Sequence, residues 1–494
     1  MNKSILISHV RLITVCVMLL PGIGSSRAQT VFHKTYEGGG SNDYGRSVQQ
    51  TSDGGYIITG LATPVPALYL VKTNSLGDTL WTRKYGGAAL AIGYSVQQCS
   101  DDGYIIAGST SSDYCDDCSP TPPFDVYLIR TNAQGDSLWT RTYGGAGPEA
   151  GYSVQQCFDG GYIIGGTTWS FGAGNDDVYL IKTDSLGDTL WTHTYGGAGS
   201  EDGYSVRQTS DSGYIITGST SSFGAGSWDV YLIKTNSLGD TLWTRSYGGT
   251  SSDYGRSVQL TSDGGYIVAG GESSFGAGPT DVYLIKTSSL GDTLWTRTFG
   301  GVGNEDGYSV QQSSDGGYIV AGGESSFGAG GMDLYLIKTN SLGDTLWTRT
   351  YGTAAFDDGY SVQQTSDGGY IVAGENSGDV YLVKTDANGI VTGVTDNSLR
   401  EVPSEFLLKQ NYPNPFNPST TINYELPSES QVSLKVYNLF GQEVATLVDG
   451  KQEAGYKTVE WSPSTSSGQV PSGVYFYRLR AGNVIEIRKF VLVK

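Results

Sequence analysis

The chain has 494 residues, rich in Gly (72) and Tyr (34) and poor in Met (3) and His (3), a mixture suited to tight turns and half-buried strands rather than helices. Between residues 29 and 399, 17 Lys and Arg stand against 40 Asp and Glu. Such a surface repels nucleic acid and anionic lipid and leaves cations and neutral molecules as compatible partners. No segment is long and apolar enough to span a membrane. No Gly-x-Ser-x-Gly elbow, metal-spaced His pair or phosphate-binding Gly-Lys-Ser/Thr loop is present.

The N-terminus reads as an export signal. Lys3 and Arg11 supply positive charge ahead of an apolar run from Leu12 to Leu20, interrupted only by Thr14; Pro21 and Gly22 follow, then Ser26-Arg27-Ala28, a small-x-small cleavage site before Gln29. Residues 1–28 are therefore expected to be a signal peptide cleaved near Ala28, and the mature chain to be secreted or displayed at the cell surface.

From there one unit recurs. The Tyr of a Gly-Tyr-Ile-Ile/Val step stands at Tyr56, Tyr104, Tyr162, Tyr214, Tyr266, Tyr318 and Tyr370, at spacings of 48, 58, 52, 52, 52 and 52. A period of this length built from short alternating strands is the mark of a propeller or array. In the copy around Tyr266, strands are expected over Tyr254–Leu260, Tyr266–Gly270, Asp281–Thr287 and Thr293–Phe299, separated by Gly-rich turns. Four antiparallel strands in about 50 residues make one blade. Six copies end on Leu-Trp-Thr, at Trp81, Trp139, Trp191, Trp243, Trp295 and Trp347, whereas the seventh stops at Asp386-Ala387-Asn388-Gly389. Val31 to Tyr36 matches the missing fourth strand. The expectation is an all-β chain whose residues 29–394 form a seven-bladed β-propeller, closed by its N-terminal strand so that no edge stays open.

The run Val-Tyr-Leu-Ile-Lys-Thr-x-x-x-Gly-x-x-Leu-Trp resembles the tryptophan-docking blades of quinoprotein-type propellers. That resemblance implies a structural Trp packed between blades. The quinone enzymes have eight blades with single-copy metal and base residues, and no counterpart to those stands in this chain, so no cofactor is implied.

Cys115 and Cys118 sit in an insertion from Ser111 to Pro123. A zinc site needs two more ligands nearby and a thioredoxin-type site needs a βαβ setting, so an exported loop disulfide is the better reading. Cys99 and Cys157 take a slot held elsewhere by Thr51, Thr209, Thr261, Ser313 and Thr365, and read as small half-buried side chains.

Residues 395–405 read as a linker. Alternating runs at Thr421–Tyr424, Val432–Tyr437, Thr458–Trp461, Val474–Leu479 and Ile485–Val493 predict a small Ig-like β-sandwich over 406–494. Asn411-Tyr412-Pro413-Asn414-Pro415-Phe416-Asn417-Pro418, Val436 to Val444, Ser472 to Leu479 and the basic end Arg488 to Lys494 resemble the C-terminal sorting domain of the type IX secretion system of Bacteroidetes-like bacteria. The resemblance implies passage through the outer membrane, the type IX machinery as partner, and surface anchoring. Related Ig-like modules of flagellar hook-capping proteins share the Tyr-Pro-Asn-Pro-Phe-Asn-Pro stretch, so an accessory Ig-like domain is the other reading.

Candidate ligand residues gather in two loop sets expected on one face. The loops between second and third strands carry Trp169, Phe171, Phe223, Trp228, Phe275 and Phe327. The blade-to-blade loops carry Asp43, Glu149, Glu201, Asp202, Asp253, Glu305, Asp306, Asp357 and Asp358. Aromatics with carboxylates suit sugar stacking and cation binding, with Asp202, Asp253, Asp306 and Asp358 as the candidates for weak Ca²⁺. Alternatively, each Phe tucks under its own loop while the acids cap turns. Two functions follow: a non-catalytic binding scaffold for an extracellular glycan or protein, or a carbohydrate-active propeller, which a single-copy carboxylate pair facing the central channel would favour.

Overall fold

The computed structural model describes residues 31–391 and 406–493, apart from 41, 87–89, 112–123, 412–413, 417–418, 427–429, 453–454, 464–469 and 483. The expected signal peptide, the linker and the Cys115–Cys118 insertion lie outside the described residues. Two compact units divide at Gly393 and Val394. Among the described residues no helix is long and apolar enough to cross a membrane.

The first unit has β-propeller architecture. Four-stranded antiparallel sheets follow one another over 44–85, 91–143, 149–195, 201–247, 253–299 and 305–351, each with its strands in chain order. A further sheet joins the three strands of 357–385 to Phe32–Tyr36, which lies antiparallel to Asp379–Thr385 with Phe32 opposite Lys384 and Tyr36 opposite Val380. The copy around Tyr266 matches its expected strands except at two ends: its first strand begins at Asp253 and its second runs on to Glu272.

Neighbouring sheets are stitched in a circuit. The Ser hydroxyls of Ser47, Ser95, Ser153, Ser205, Ser257 and Ser309 each accept from the Val amide of the next first strand (Val96, Val154, Val206, Val258, Val310, Val362). Ser361 accepts from Val48, which joins last sheet to first; all seven bonds span 3.1–3.3 Å. The six fourth-strand Trp rings each pack at a steep angle on the Tyr of the next sheet, from Trp81 on Tyr104 to Trp347 on Tyr370, with centroids 5.8–6.1 Å apart. Phe32 does the same to Tyr56 at 6.0 Å.

Each sheet also buries one cation. Lys72, Lys182, Lys234, Lys286, Lys338 and Lys384 on the third strands pair with Asp53, Asp159, Asp211, Asp263, Asp315 and Asp367 of the Asp-Gly-Gly or Asp-Ser-Gly turns at 2.8–3.0 Å, and Arg130 pairs with Asp101. A buried ammonium requires such a partner, which is why every turn in this position opens on Asp.

The second unit is a sandwich of two sheets around Phe416, Tyr424, Trp461, Tyr477 and Phe490. One sheet holds Leu407–Leu408, Thr420–Leu426 and Gly455–Trp461; the other orders Glu443–Gln452, Ser430–Tyr437, Gly473–Ala481 and Val484–Leu492. The five expected runs are all strands. Glu443–Gln452 is an additional one, hidden in the sequence by an alternation that leaves no residue fully buried.

Candidate functional site

The first strand of each sheet lines the central channel. Its Gly and Val point into the packing between sheets, while a bulge after the Gly turns the next residue to the opposite side. Glycine is obligatory on the neighbouring strand as well: a Cβ on Gly218 would collide with the Asp202 carbonyl.

Three tiers of side chains result. The middle tier is Arg46, Tyr94, Tyr152, Tyr204, Arg256, Tyr308 and Tyr360. The tyrosines touch in series, Tyr94–Tyr152 at 4.9 Å, Tyr152–Tyr204 at 5.3 Å and Tyr308–Tyr360 at 5.3 Å. The Arg46 guanidinium lies over Tyr360 at 4.1 Å and Tyr44 at 4.5 Å, and Arg256 over Tyr204 at 4.7 Å. Cation–π contact of this kind holds a cation where burial alone would disfavour it. For Arg256, burial pulls the pKa down, but Asp306, Tyr204 and Tyr308 outweigh it and hold the group above its ordinary value.

The tier toward the Glu/Asp loops is Tyr44, Ile92, Ala150, Asp202, Tyr254, Asp306 and Asp358. Asp306 sits 3.6 Å from Arg256, and burial still raises its carboxyl. Asp358 is 2 % exposed; burial, then the charge of Asp306, push it up to about 7, against the opposing pull of Arg46. Glu375, paired in register with Asp358, is raised by burial as well. Asp202 is oriented by Thr167 Oγ1, which donates to Oδ1 at 3.0 Å, and by the Tyr204 hydroxyl, which donates to Oδ2 at 2.9 Å. In the third tier, Arg207 replaces a Gln, and burial lowers it to about 10.

The expected ligand residues separate into different environments. The acids Glu149, Glu201, Asp253, Glu305 and Asp357 are not loop residues: they begin the first strands and are buried. Their carboxylates accept the amides of adjoining loops. Asp253 takes Gly249 N at 2.7 Å, Ser273 N at 3.1 Å and Ser274 Oγ at 2.8 Å. Glu201 takes Gly197 N at 2.6 Å, Ser222 N at 3.0 Å and Thr220 Oγ1 at 2.7 Å. Asp253 thus occupies a different register from Asp202, Asp306 and Asp358. Among the described residues no three His, Cys, Asp or Glu side chains converge as a metal ion requires.

Phe171, Phe223, Phe275 and Phe327 lean on Tyr179, Tyr231, Tyr283 and Tyr335 of their own sheets at 5.6–6.2 Å while staying about half exposed. Trp228 is half-buried over Tyr254 at 6.3 Å. Trp169 is 58 % exposed and lines a cavity of about 230 Å³. Cys99 and Cys157 are free and buried, and burial pushes both thiols up to about 11.

The middle tier was missed in the sequence, although its signal is plain once the copies are aligned. Gly-Tyr-Ser-Val recurs in five copies and becomes Gly-Arg-Ser-Val at Arg46 and Arg256.

The FlgD Ig-like domain model matches residues 416–483, within the second unit. A regulatory protein of Caulobacter vibrioides, FlaEY, is 30 % identical over 182 residues, which covers 31 % of this chain; the chain spans 19 % of the length of that relative. Among solved structures, virginiamycin B lyase from Staphylococcus aureus is similar at a TM-score of 0.44 and 10 % identity, over 72 % of this chain and 99 % of the other. The Neurospora crassa Pan2 WD40 domain is similar at 0.44 and 9 %, over 69 % and 89 %. At those values neither likeness carries an activity or a substrate to this chain.

Proposed function

We propose that the chain is an exported, non-catalytic binding scaffold. In this reading residues 1–28 are a leader and 29–394 are seven blades closed into one ring by Phe32–Tyr36. Residues 395–405 are a linker to a C-terminal Ig-like module, 406–494, that directs export. One observation carries the binding function. The recurring features (Trp, Lys–Asp pair, strand-opening acid, Ser hydroxyl) all have structural partners, whereas the copies differ in chemistry where their first strands meet the channel. In the middle and acid-side tiers, seven tyrosines, two arginines and three aspartates offer stacking faces and hydrogen-bond partners to a ligand entering from the acidic side.

An extracytoplasmic or flagellar setting draws support from the match to a FlgD Ig-like domain and from the Caulobacter relative. The type IX route rests on the motif resemblance from Asn411 to Lys494. Its test is to fuse 406–494 to an inert periplasmic protein in a host with that system; retention in the periplasm refutes it. The binding function is tested on a glycan and protein array, with turnover assayed in the same samples. Saturable binding without product supports the scaffold.

A second reading, a carbohydrate-active propeller, is favoured by the channel-facing pair Asp306 and Asp358. Asp358 is pushed up to about 7 by burial and by the charge of Asp306, and Asp306 itself lies 3.6 Å from Arg256; two carboxyls on one wall are the minimum that glycoside cleavage uses. Product formation that Asp358→Asn abolishes, with binding intact, replaces the first reading by the second.

A further inference from the structure

We infer that the cavity between the second and third sheets takes one uncharged pyranose unit of a glycan, a deepening that rests on the binding function proposed above. The cavity exists because the copies differ. At the acid-side tier other copies carry Tyr44, Asp202, Tyr254, Asp306 and Asp358, but the second and third carry Ile92 and Ala150. Ala150 is shorter than any of these and Ile92 is shorter than Tyr and apolar, and about 230 Å³ stands open above Tyr94 and Tyr152. At roughly 30 Å³ per water that is the volume of about eight waters, the scale of a single sugar ring rather than a peptide segment.

The wall opposite is also particular to this copy. Trp169 stands where the aligned loops have Ser221, Ser273 and Ser325. Two of those serines tie neighbouring loops together, since Ser221 accepts from Ser200 N and Ser325 from Asn304 N, both at 2.7 Å. Trp169 gives that side-chain bond up, keeps the backbone bond that its sister residues also make, here to the Pro148 carbonyl at 3.0 Å, and leaves its ring 58 % exposed on the rim. An exposed Trp beside two tyrosines supplies the flat faces on which the C–H side of a sugar rests.

The polar lining fixes the charge of the occupant. Thr167, Ser109 and Asp202 supply hydroxyl and carboxylate partners, and among the described residues the lining holds no Lys or Arg. Glu149 is occupied by Gly145 N at 2.9 Å and Thr168 Oγ1 at 2.8 Å. With both acids in the wall, an anionic sugar or phosphate is repelled. The two hydrogen bonds already made by Asp202 leave it lone pairs for hydroxyl donors of a ligand. The apolar Ile92 and Ala150 offer nothing to replace the water an ammonium would have to shed, and an uncharged ring covers them at less cost.

The test uses the full chain and Trp fluorescence with titration calorimetry, against glucose, galactose, mannose, xylose and N-acetylglucosamine and their neutral oligomers. Glucuronate and glucosamine serve as the charged comparators. Saturable binding of at least one neutral sugar is expected, weakened about tenfold or more, about 1.4 kcal/mol, by Trp169→Ser and by Ala150→Tyr. Both variants carry residues that sister copies tolerate, and unchanged melting temperatures confirm that they fold. Lys34→Ala, which breaks the solvent-exposed pair with Asp78, should leave this binding unaltered. No saturable neutral sugar, tighter binding of a charged comparator, or full binding by both variants overturns the inference. If an array ligand binds the chain and neither variant weakens it, this cavity is excluded while the scaffold reading stands; if nothing binds, both fall.

Discussion

Removing residues 31–36 tests ring closure most directly. Phe32 and Tyr36 are 6 % and 7 % exposed, so their loss returns two aromatic side chains to water at about 1.5–3 kcal/mol each. The Tyr36 hydroxyl also donates to the Gly77 carbonyl at 2.7 Å, a bond that contributes about 1 kcal/mol. The deletion further bares the ladder edge of Asp379–Thr385, whose residues are almost all buried and which then offers a template for self-pairing. About 5 kcal/mol is the resulting figure. With about 2 °C per kcal/mol for a chain of this size, the melting temperature should fall by about 10 °C, with a new tendency to associate.

The graded controls decide the cause. Phe32→Ala should reproduce about half of the loss. Lys34→Ala should change almost nothing, because its pair with Asp78 is solvent-exposed. A peptide of residues 31–36 in excess should restore the deletion mutant by mass action. Calorimetry and light scattering read all four. A deletion mutant that melts with the intact chain and stays monomeric refutes closure by this strand.

The pH dependence of Asp358 has a definite sign. Its folded pKa is raised from 3.8 to about 7, so the unfolded state releases the proton first, and stability falls as pH rises between about 4 and 7. Asp358→Asn should therefore be neutral at pH 4 and more stable than the parent at pH 8, by up to about 4 kcal/mol; an advantage that shrinks with rising pH contradicts the assignment. Asp253→Asn should destabilise by about 1.5–3 kcal/mol through its three loop contacts, whether Ca²⁺ or a chelator is present, and a Ca²⁺-dependent loss in thermal melts would make it a cation ligand instead. Truncation before Phe406 should leave the melting transition of the first unit unchanged, because each unit has its own core; a shifted or broadened transition in calorimetry argues against independence.

The fold was legible in the chain because each blade repeats the same solution to the same physical problem. Tyr266, Trp295 and the Gly-rich turns announce their places by recurrence, and the fourth strand missing after Thr385 points to Val31–Tyr36 by pattern alone. The site was legible only in part. Asp253 and Asp306 look alike in sequence, one residue apart in register, yet one caps a loop and the other meets Arg256. A single step along a strand reverses the face a side chain presents, and the bulge after each Gly shifts that register again. Trp169 stood out because it departs from its copies. Arg46 and Arg256 escaped notice because they sit inside a strand, where charge reads as solvated surface.

Symmetry itself indicates where a ligand belongs. The Gln side chains at the far end of the first strands form a relay, each accepting an amide from the turn of the preceding sheet: Ser52 N to Gln98, Ser100 N to Gln156, Phe158 N to Gln208, Ser262 N to Gln312, Ser314 N to Gln364 and Ser366 N to Gln50. At Leu260 the relay is broken, and beside it Arg207 replaces the neighbouring Gln and reaches Gln259 at 2.9 and 3.2 Å with the amide oxygen turned toward it. A ring of identical copies presents identical side chains around its axis, and a ligand without matching rotational symmetry can then be held in no single orientation. The substitutions at Ile92, Ala150, Arg207, Arg256, Asp306 and Asp358 break the equivalence of the copies along the channel wall. For the binding function proposed above, that asymmetry would give a ligand one orientation, on a scaffold whose remaining contacts are repeated from sheet to sheet.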